Sequence, residues 1–343
     1  MSAIVSRAPV TASGQHDSGR TSLRDTTRTA LCCMVIAPGT LWAVVRLGGL
    51  ERGPLVQLLA FTPYVAAWSV LPAVVLLALR RWWLAGVALL VAAALAGAVL
   101  PRAVGSAASG GGVSLRVLTA NMQFGAADAG ALVDLVRERR VDVLVLQEYT
   151  PEAEVGLRAA GIDAVLPFHR TRPLPKASGS ALFSRHPLAE DGVRENPGHF
   201  TQAYARITLP GTRPVSVESV HTTPPAHLDN LNYWRRDLAI QPAASGDTLR
   251  VLAGDFNATL DHAALRALVS RGYRDAAAAT GVGLSGTWGP YLGRNGRKPI
   301  PPITIDHILA DSRIGVGEVS THALPRTDHR ALAAELFVPA IQG

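Results

Sequence analysis

Eight polar residues stand where apolar runs end in the C-terminal part of this chain: Asn121, Glu148, His221, Asp255, Asn257, Asp306, Asp328 and His329. The run Leu249–Ala253 has β-strand character, stops at Gly254, and delivers the carboxylate of Asp255 and the amide of Asn257. In an extended chain alternate side chains share a face, so both can enter one site. Taken alone, the segment reads equally well as a strand end followed by an Asx turn. Matching acids, amides and histidines at other strand ends shift the reading towards chemistry. Carboxylates and amides without cysteine form a hard-ligand set, suited to Mg2+ or Mn2+ and poorly matched to zinc. Two histidines and spare acids beside such a cation suit metal-assisted phosphoester hydrolysis. The metal clamps phosphoryl oxygens, an acid or histidine activates water, and histidine and asparagine stabilise the developing charge.

The elements that must position these groups are legible as alternating short runs. Strands are predicted over 115–120, 141–146, 180–184, 203–209, 215–220, 249–255, 303–309 and 331–337. Helical spacing follows the first strand, with Arg137–Arg140 on the solvated side, and recurs from Pro151 and over 228–240. Asp261 reads as the N-cap of a helix running to about Arg271. Residues 281–302 form a long glycine- and proline-rich loop that contains Trp288 and the cluster Arg294–Lys298. Many strands with few helices, not in strict βαβ alternation, predict a layered α/β sandwich with mixed sheets.

Over residues 115–338 the sequence resembles the endonuclease/exonuclease/phosphatase (DNase I-like) superfamily, which includes nucleases, inositol polyphosphate 5-phosphatases and bacterial sphingomyelinases. The resemblance is carried by Thr119-Ala120-Asn121, Leu146-Gln147-Glu148, Gly254-Asp255-Phe256-Asn257, Ile305-Asp306-His307-Ile308 and Thr327-Asp328-His329. Each motif is weak alone; five in order are specific. The resemblance implies a four-layer α/β/β/α sandwich with its site at one rim of the two sheets. It implies Glu148 as principal Mg2+ ligand, with Asn121 and Asp328 as further ligands or phosphate partners. Asp255 is then expected to orient or deprotonate water, Asn257 to hold a phosphoryl oxygen, and His329 to contact the phosphate in acid/base catalysis. Asp306 would fix the tautomer of His329, and His221 would donate to the phosphate. Whether Asp255 or His329 is the base stays open at this point. His169, His199, His307 and His322 are expected to be structural or exposed. The Arg294–Lys298 cluster is either a solvated loop or a headgroup contact.

The N-terminal part differs in kind. Residues 1–29 are polar and carry four arginines, the composition of a disordered basic tail. Uncharged apolar runs follow over 30–45 (about 30–50 if Arg46 snorkels), 53–79 and 82–101, of 16, 27 and 20 residues. A membrane span needs roughly 20 apolar residues, so three transmembrane helices are expected at about 30–50, 55–79 and 82–101. A cleaved signal peptide is the rival reading of the first, but two further runs behind it favour a retained anchor. The tail arginines and Arg80-Arg81 predict a multi-pass cell-membrane protein with its catalytic domain extracytoplasmic; Arg46 and Arg52 count against this orientation. Residues 102–114 read as a flexible linker that would keep the domain near the bilayer. The layout is also similar to actinobacterial membrane proteins of the teicoplanin-resistance type.

Charge narrows the substrate. Of the net +7, residues 1–112 contribute nine arginines against three acids, and the rest of the chain holds 24 basic against 23 acidic residues. A near-neutral domain is poorly suited to a phosphate backbone, so nucleic acid is the lesser expectation. The favoured partners are the lipid bilayer, through the N-terminal helices, and a phosphate ester held near it, most naturally lipid-linked. A surface nuclease is the alternative; a non-catalytic binding module is disfavoured by the intact set of acids, amides and histidines. The only cysteines, Cys32 and Cys33, adjoin in an apolar run, so the remainder has neither disulfides nor thiolate metal sites.

Overall fold

A computed structural model of the chain describes residues 18–107, 111–289 and 300–341. It opens with α1 (Ser18–Gly48), α2 (Leu55–Leu59), α3 (Thr62–Trp68), α4 (Val70–Ala78) and α5 (Trp82–Val99). Two stretches, Thr26–Gly48 and Trp82–Ala103, are long and apolar enough to cross a membrane, and Thr62–Ala78 is a shorter apolar stretch between them.

Three sequence expectations are corrected here. The expected disordered tail is helical from Ser18 onward. The second expected span, about 55–79, is broken into three short helices. Pro54 is the N-cap of α2, and Pro63 and Pro72 lie in the first turns of α3 and α4, where a proline starts a helix but cannot continue one. The expected flexible linker is pinned at its start. Arg102 is buried, its carbonyl accepts from Gly283 N at 3.0 Å, and Gly105 passes so close to Ala279 that a Cβ would lie 2.3 Å from that residue's carbonyl oxygen.

Beyond these helices the strands are β1 (Val113–Asn121), β2 (Val143–Gln147), β3 (Phe168–Arg172), β4 (Ser180–Ser184), β5 (Leu188–Glu195), β6 (Thr201–Ile207), β7 (Val215–His221), β8 (Leu249–Asp255), β9 (Tyr273–Asp275), β10 (Asp306–Asp311), β11 (Gly315–Ala323) and β12 (Arg330–Val338). They form two six-stranded mixed sheets, β11-β12-β1-β2-β4-β3 and β5-β6-β7-β8-β10-β9. Between the sheets lies a core of small and branched side chains, among them Val117, Val145, Val217, Val251 and Leu336. Helices α6 (Ala129–Glu138), α7 (Pro151–Ala159) and α8 (Ile162–Val165) cover the first sheet through Leu132, Val136 and Leu157. Helix α9 (Leu231–Ala239) covers the second through Trp234 and Leu238, with α10 (Ala263–Val269) through Leu265; the short α11 (Ala276–Ala279) follows β9. The result is the layered α/β sandwich the sequence predicts.

Strand register builds the functional rim. Parallel β1 and β2 end together, Asn121 opposite Gln147, so Glu148 emerges beside Asn121. In the other sheet His221 is paired with Asp255 across parallel β7–β8, and Asp255 with Asp306 across antiparallel β8–β10. Three chemical groups therefore stand abreast on three neighbouring strands.

The helical region is not a separate body. Val56 of α2 is fully buried in the core that holds Trp234, Phe256 and Leu265. Asp261 is not the expected N-cap. His262 takes that position, and the Asp261 carboxylate instead accepts from Arg46 Nε at 2.6 Å and from Arg102 Nη1 and Nη2 at 2.7 and 2.6 Å. The first turn of α10 is satisfied from outside: Glu51 accepts from the backbone N–H of Ala263 and Ala264 at 2.6 and 2.9 Å, a favourable place for an acid.

Candidate active site

The glycine that ends β8 is there for space. A Cβ on Gly254 would lie 1.9 Å from the carbonyl oxygen of Val220, so only glycine lets β7 and β8 close while Asp255 turns into the rim. Four non-glycine residues around the rim adopt positive φ: Gln123, Phe124, Glu148 and Asn257. Such conformations cost free energy and persist only when neighbours fix them, as hydrogen bonds do here. Phe124 N donates to Glu148 Oε2 at 2.6 Å, Gln123 N to Asn121 Oδ1 at 2.9 Å, and Asn257 N to Asp255 Oδ1 at 2.8 Å.

Asn121 joins the sheets. Its Nδ2 donates to Glu148 Oε1 at 3.1 Å and to Asp255 Oδ2 at 3.0 Å, so two carboxylates from different sheets converge on one point. On the far side of Asp255, Nδ1 of His329 is 2.9 Å from Asp306 Oδ2, and Nε2 is 3.9 Å from Asp255 Oδ2. His221 Nε2 lies 3.8 Å from the same Asp255 oxygen, with Phe200 packed edge-on against its ring at 4.5 Å. Asp328 Oδ2 accepts from Trp288 Nε1 at 3.1 Å, and its Oδ1 lies 4.0 Å from His329 Nε2. Asn257 spends one amide hydrogen on Thr222 O at 2.9 Å.

Burial and mutual charge set the protonation states. Asp255 is pushed up to about 7, mainly by burial and then by the neighbouring Asp306 charge. Burial also raises Glu148, against the hydrogen bonds from Phe124 and Asn121. Burial alone would lower His329, but the charge and hydrogen bond of Asp306, with Asp255 beyond, lift it to about 10. His221 is lowered to about 3, by burial and then by the His329 charge, and is therefore neutral.

The donor chemistry fits a hard divalent cation. Carboxylate oxygens of Glu148 and Asp255 meet at the Asn121 side-chain amide, whose Nδ2 donates to both, with no thiol nearby. Asp255, Asp306 and His329 also bring possible ligand atoms within 4.8 Å of one another. In that trio, however, Nδ1 of His329 is already committed to Asp306, which makes an ion pair the better account of those two residues.

All eight residues singled out in the sequence reach one rim. Contacts tie Asn121, Glu148, Asp255, Asp306 and His329 into a continuous group, with His221, Asp328 and Asn257 at its border. Sequence reasoning missed Gln123, whose side chain accepts from Asp328 N at 3.1 Å, and Thr287, whose hydroxyl accepts from Ile305 N and Asp306 N at 3.1 and 3.0 Å. It also missed the roles of Phe124, Phe200 and Trp288. None carries a periodic or motif signal, although Gln123 and Phe124 directly follow Asn121. His307 is structural, its nitrogens 2.7 Å from Asp275 Oδ2 and 2.8 Å from Ala258 O, and His169 and His199 are exposed. The Arg294–Lys298 cluster lies outside the described residues.

Two facing mixed sheets under helices, with converging carboxylates, an amide bridge and an Asp–His pair at one rim, define a hydrolase of the α/β-sandwich class. Residues 118–329 match the Endonuclease/Exonuclease/phosphatase family, and the chain belongs to that family of phosphoester hydrolases. No curated protein matches the chain in sequence. Among solved structures, an endonuclease/exonuclease/phosphatase from Beutenbergia cavernae is 17% identical with a TM-score of 0.52, over 66% of this chain and 72% of that one. A humanized D. rerio TDP2 is 14% identical with a TM-score of 0.52, over 65% and 98% of the two chains. An endonuclease/exonuclease/phosphatase family protein from Bacteroides thetaiotaomicron is 16% identical with a TM-score of 0.50, over 66% and 98%. At such identities the likeness establishes the fold.

Proposed function

We propose that this chain is a membrane-tethered, Mg2+-dependent phosphoester hydrolase acting at the outer membrane surface on a lipid-linked phosphate, diphosphate or phosphodiester. The observation that carries the reading is the convergence of Glu148 and Asp255 on one point, with the Asp306–His329 pair beside it. Glu148, with Asn121 and Asp328, would hold the cation, whose chemistry is to neutralise charge on the phosphoryl and departing oxygens.

The remaining steps belong to the chain's own side chains. A base works best with a pKa near the operating pH, which favours Asp255, held at about 7, over His329, held protonated to about 10. The attacking water loses its proton to Asp255. His329, on the same side as Asp255, donates Nε2–H to a phosphoryl oxygen and offsets its charge in the transition state. Asp306 fixes the tautomer and keeps the proton on His329. His221, being neutral, contributes a hydrogen bond without charge, and the second amide hydrogen of Asn257 serves the same oxygens.

Membrane attachment is supported by the two long apolar helices and by the exposed Leu41, Trp68, Trp83 and Leu90. Arg46, which counted against an outward domain, is neutralised by Asp261 and so drops out of the loop-charge balance. Pinned helices hold the site at a fixed distance from the bilayer, which raises the effective concentration of lipid substrates.

The test uses the full-length protein in detergent with Mg2+, assayed on plasmid DNA, sphingomyelin and a polyprenyl diphosphate. Lipid turnover is expected, reduced by roughly 10²–10³ or more in Glu148→Gln and His329→Ala. Activity retained in both variants would refute the site assignment. Rapid DNA nicking without lipid turnover would refute the substrate class.

A further inference from the structure

The cleft over the catalytic rim, about 440 Å³, is not built by the catalytic sandwich alone. One wall comes from the N-terminal region: Val56, Gln57, Ala60 and Phe61, all between α1 and α3, line it together with Glu148, His221, Asp255 and His329. This wall is held in place. Val56 is fully buried, and its carbonyl oxygen is 2.7 Å from His262 Nε2. Gln57 Nε2 donates to Pro225 O at 2.7 Å, and Tyr64 OH, at the start of α3, donates to Pro302 O at 2.7 Å. Ile300 and Ile303 add to the apolar lining.

The cleft lining therefore combines two kinds of chemistry, the buried acids and histidines of the rim and the apolar side chains of Val56, Ala60, Phe61, Ile300 and Ile303. Phe61 is followed in the chain by α3 and α4, whose Trp68, Val70, Leu71 and Val74 are exposed apolar side chains. A ligand that carries both a phosphate and an apolar chain matches this lining, and a soluble head group has no need of its apolar part.

Resting on the reading under Proposed function, we infer that α2 and the Ala60–Phe61 turn form the chain-binding subsite of this enzyme, seating the first part of an isoprenoid or acyl chain whose phosphate lies at the rim. The segment that leads into the membrane-type helices thus sets substrate specificity, in addition to serving as a tether.

The experiment measures kcat/KM of the full-length protein in detergent with Mg2+ on dimethylallyl, geranyl and farnesyl diphosphate, which share a head group and differ only in chain length. Each buried methylene is worth about fourfold. With half of the ten added carbons buried, the farnesyl-to-dimethylallyl ratio is expected to be roughly a thousandfold. Phe61→Ala should lower that ratio by about tenfold, and Phe61→Leu should restore most of it. A damaged fold would lower all three substrates together and leave the ratio intact. A wild-type ratio near one, or a ratio unchanged in Phe61→Ala, overturns the subsite while leaving the hydrolase reading standing. Absence of turnover of every diphosphate and of sphingomyelin by the wild-type protein defeats the parent reading itself.

Discussion

Asp261 offers the sharpest test of how the helical region is fastened to the catalytic sandwich. Its carboxylate is fully buried and takes three charge-assisted hydrogen bonds of 2.6–2.7 Å from Arg46, at the end of α1, and Arg102, just beyond α5. A third guanidinium crowds the site: Arg266 Nη1 donates to the Asp261 backbone oxygen at 2.6 Å, and burial, then the charge of Arg46, lowers its pKa to about 10. Asp261→Ala leaves these cations buried without their principal counter-ion. Breaking a buried pair by removing one partner costs about 3–5 kcal/mol. At roughly 2–4 °C per kcal/mol for a chain of this size, the thermal midpoint should fall by about 6–20 °C. Intrinsic tryptophan fluorescence of the full-length protein in detergent reads this directly. Limited trypsin digestion gives a second readout, because the Arg102 side chain is sequestered by the clamp and should become a cleavage site once it is released. Replacing all three partners together, Arg46→Leu, Arg102→Met and Asp261→Leu, should restore much of the lost stability, since a buried ion cluster is often no better than well-packed hydrocarbon. A midpoint for Asp261→Ala within about 2 °C of wild type, with no new cut after Arg102, would refute the clamp as the fastening.

Three further predictions concern the rim. Asp255 is raised from 3.8 to about 7, so its protonated form is favoured in the folded protein; in EDTA its contribution to stability is full below about pH 4 and is lost as pH rises towards 7. Asp255→Asn should therefore gain in thermal midpoint over wild type across that window, with saturating Mg2+ removing the gain; a difference flat in pH would contradict the assignment. His329, raised from 6.5 to about 10, contributes stability that is complete below 6.5 and lost as pH climbs through 10, and Asp306→Asn should abolish that alkaline loss relative to wild type in the same scans. Gly254→Ala would set a Cβ 1.9 Å from Val220 O and should cost about 3 kcal/mol or more, together with activity; near-wild-type unfolding would show that β7 can yield.

What the sequence disclosed and what it withheld have a physical boundary. The eight strands read from the sequence are the eight interior strands of the two sheets. The four it missed, β3, β5, β9 and β11, are the four edges. Interior strands are buried on both faces and read as apolar runs, whereas Phe168–Arg172 and Leu188–Glu195 carry the charges that discourage edge pairing. The site residues were legible because each lies at, or within two residues of, one end of an interior strand. The fastening of the helices was not, because Asp261, Glu51 and Val56 act through single long-range contacts that leave no periodic trace. An aspartate before a helix looks the same in sequence whether it caps that helix or binds two arginines from another part of the chain.

One loop joins the two halves of the protein's design. After β8, Asp255 and Asn257 serve the rim, Thr259 N and Val56 O bracket the ring of His262, and Asp261 clamps the ends of α1 and α5. The helices and the segment that carries Asp255 are therefore tied to one another. The segment is also anchored from behind, since Trp234 Nε1 donates to Asn257 O at 3.1 Å and Phe256 is fully buried. A catalytic domain that only needed a leash would have no use for this arrangement. Three groups of contacts, the Asp261 ion cluster, the Glu51 cap and the burial of Val56, fix the helices against the site, as the proposed chain-binding subsite requires.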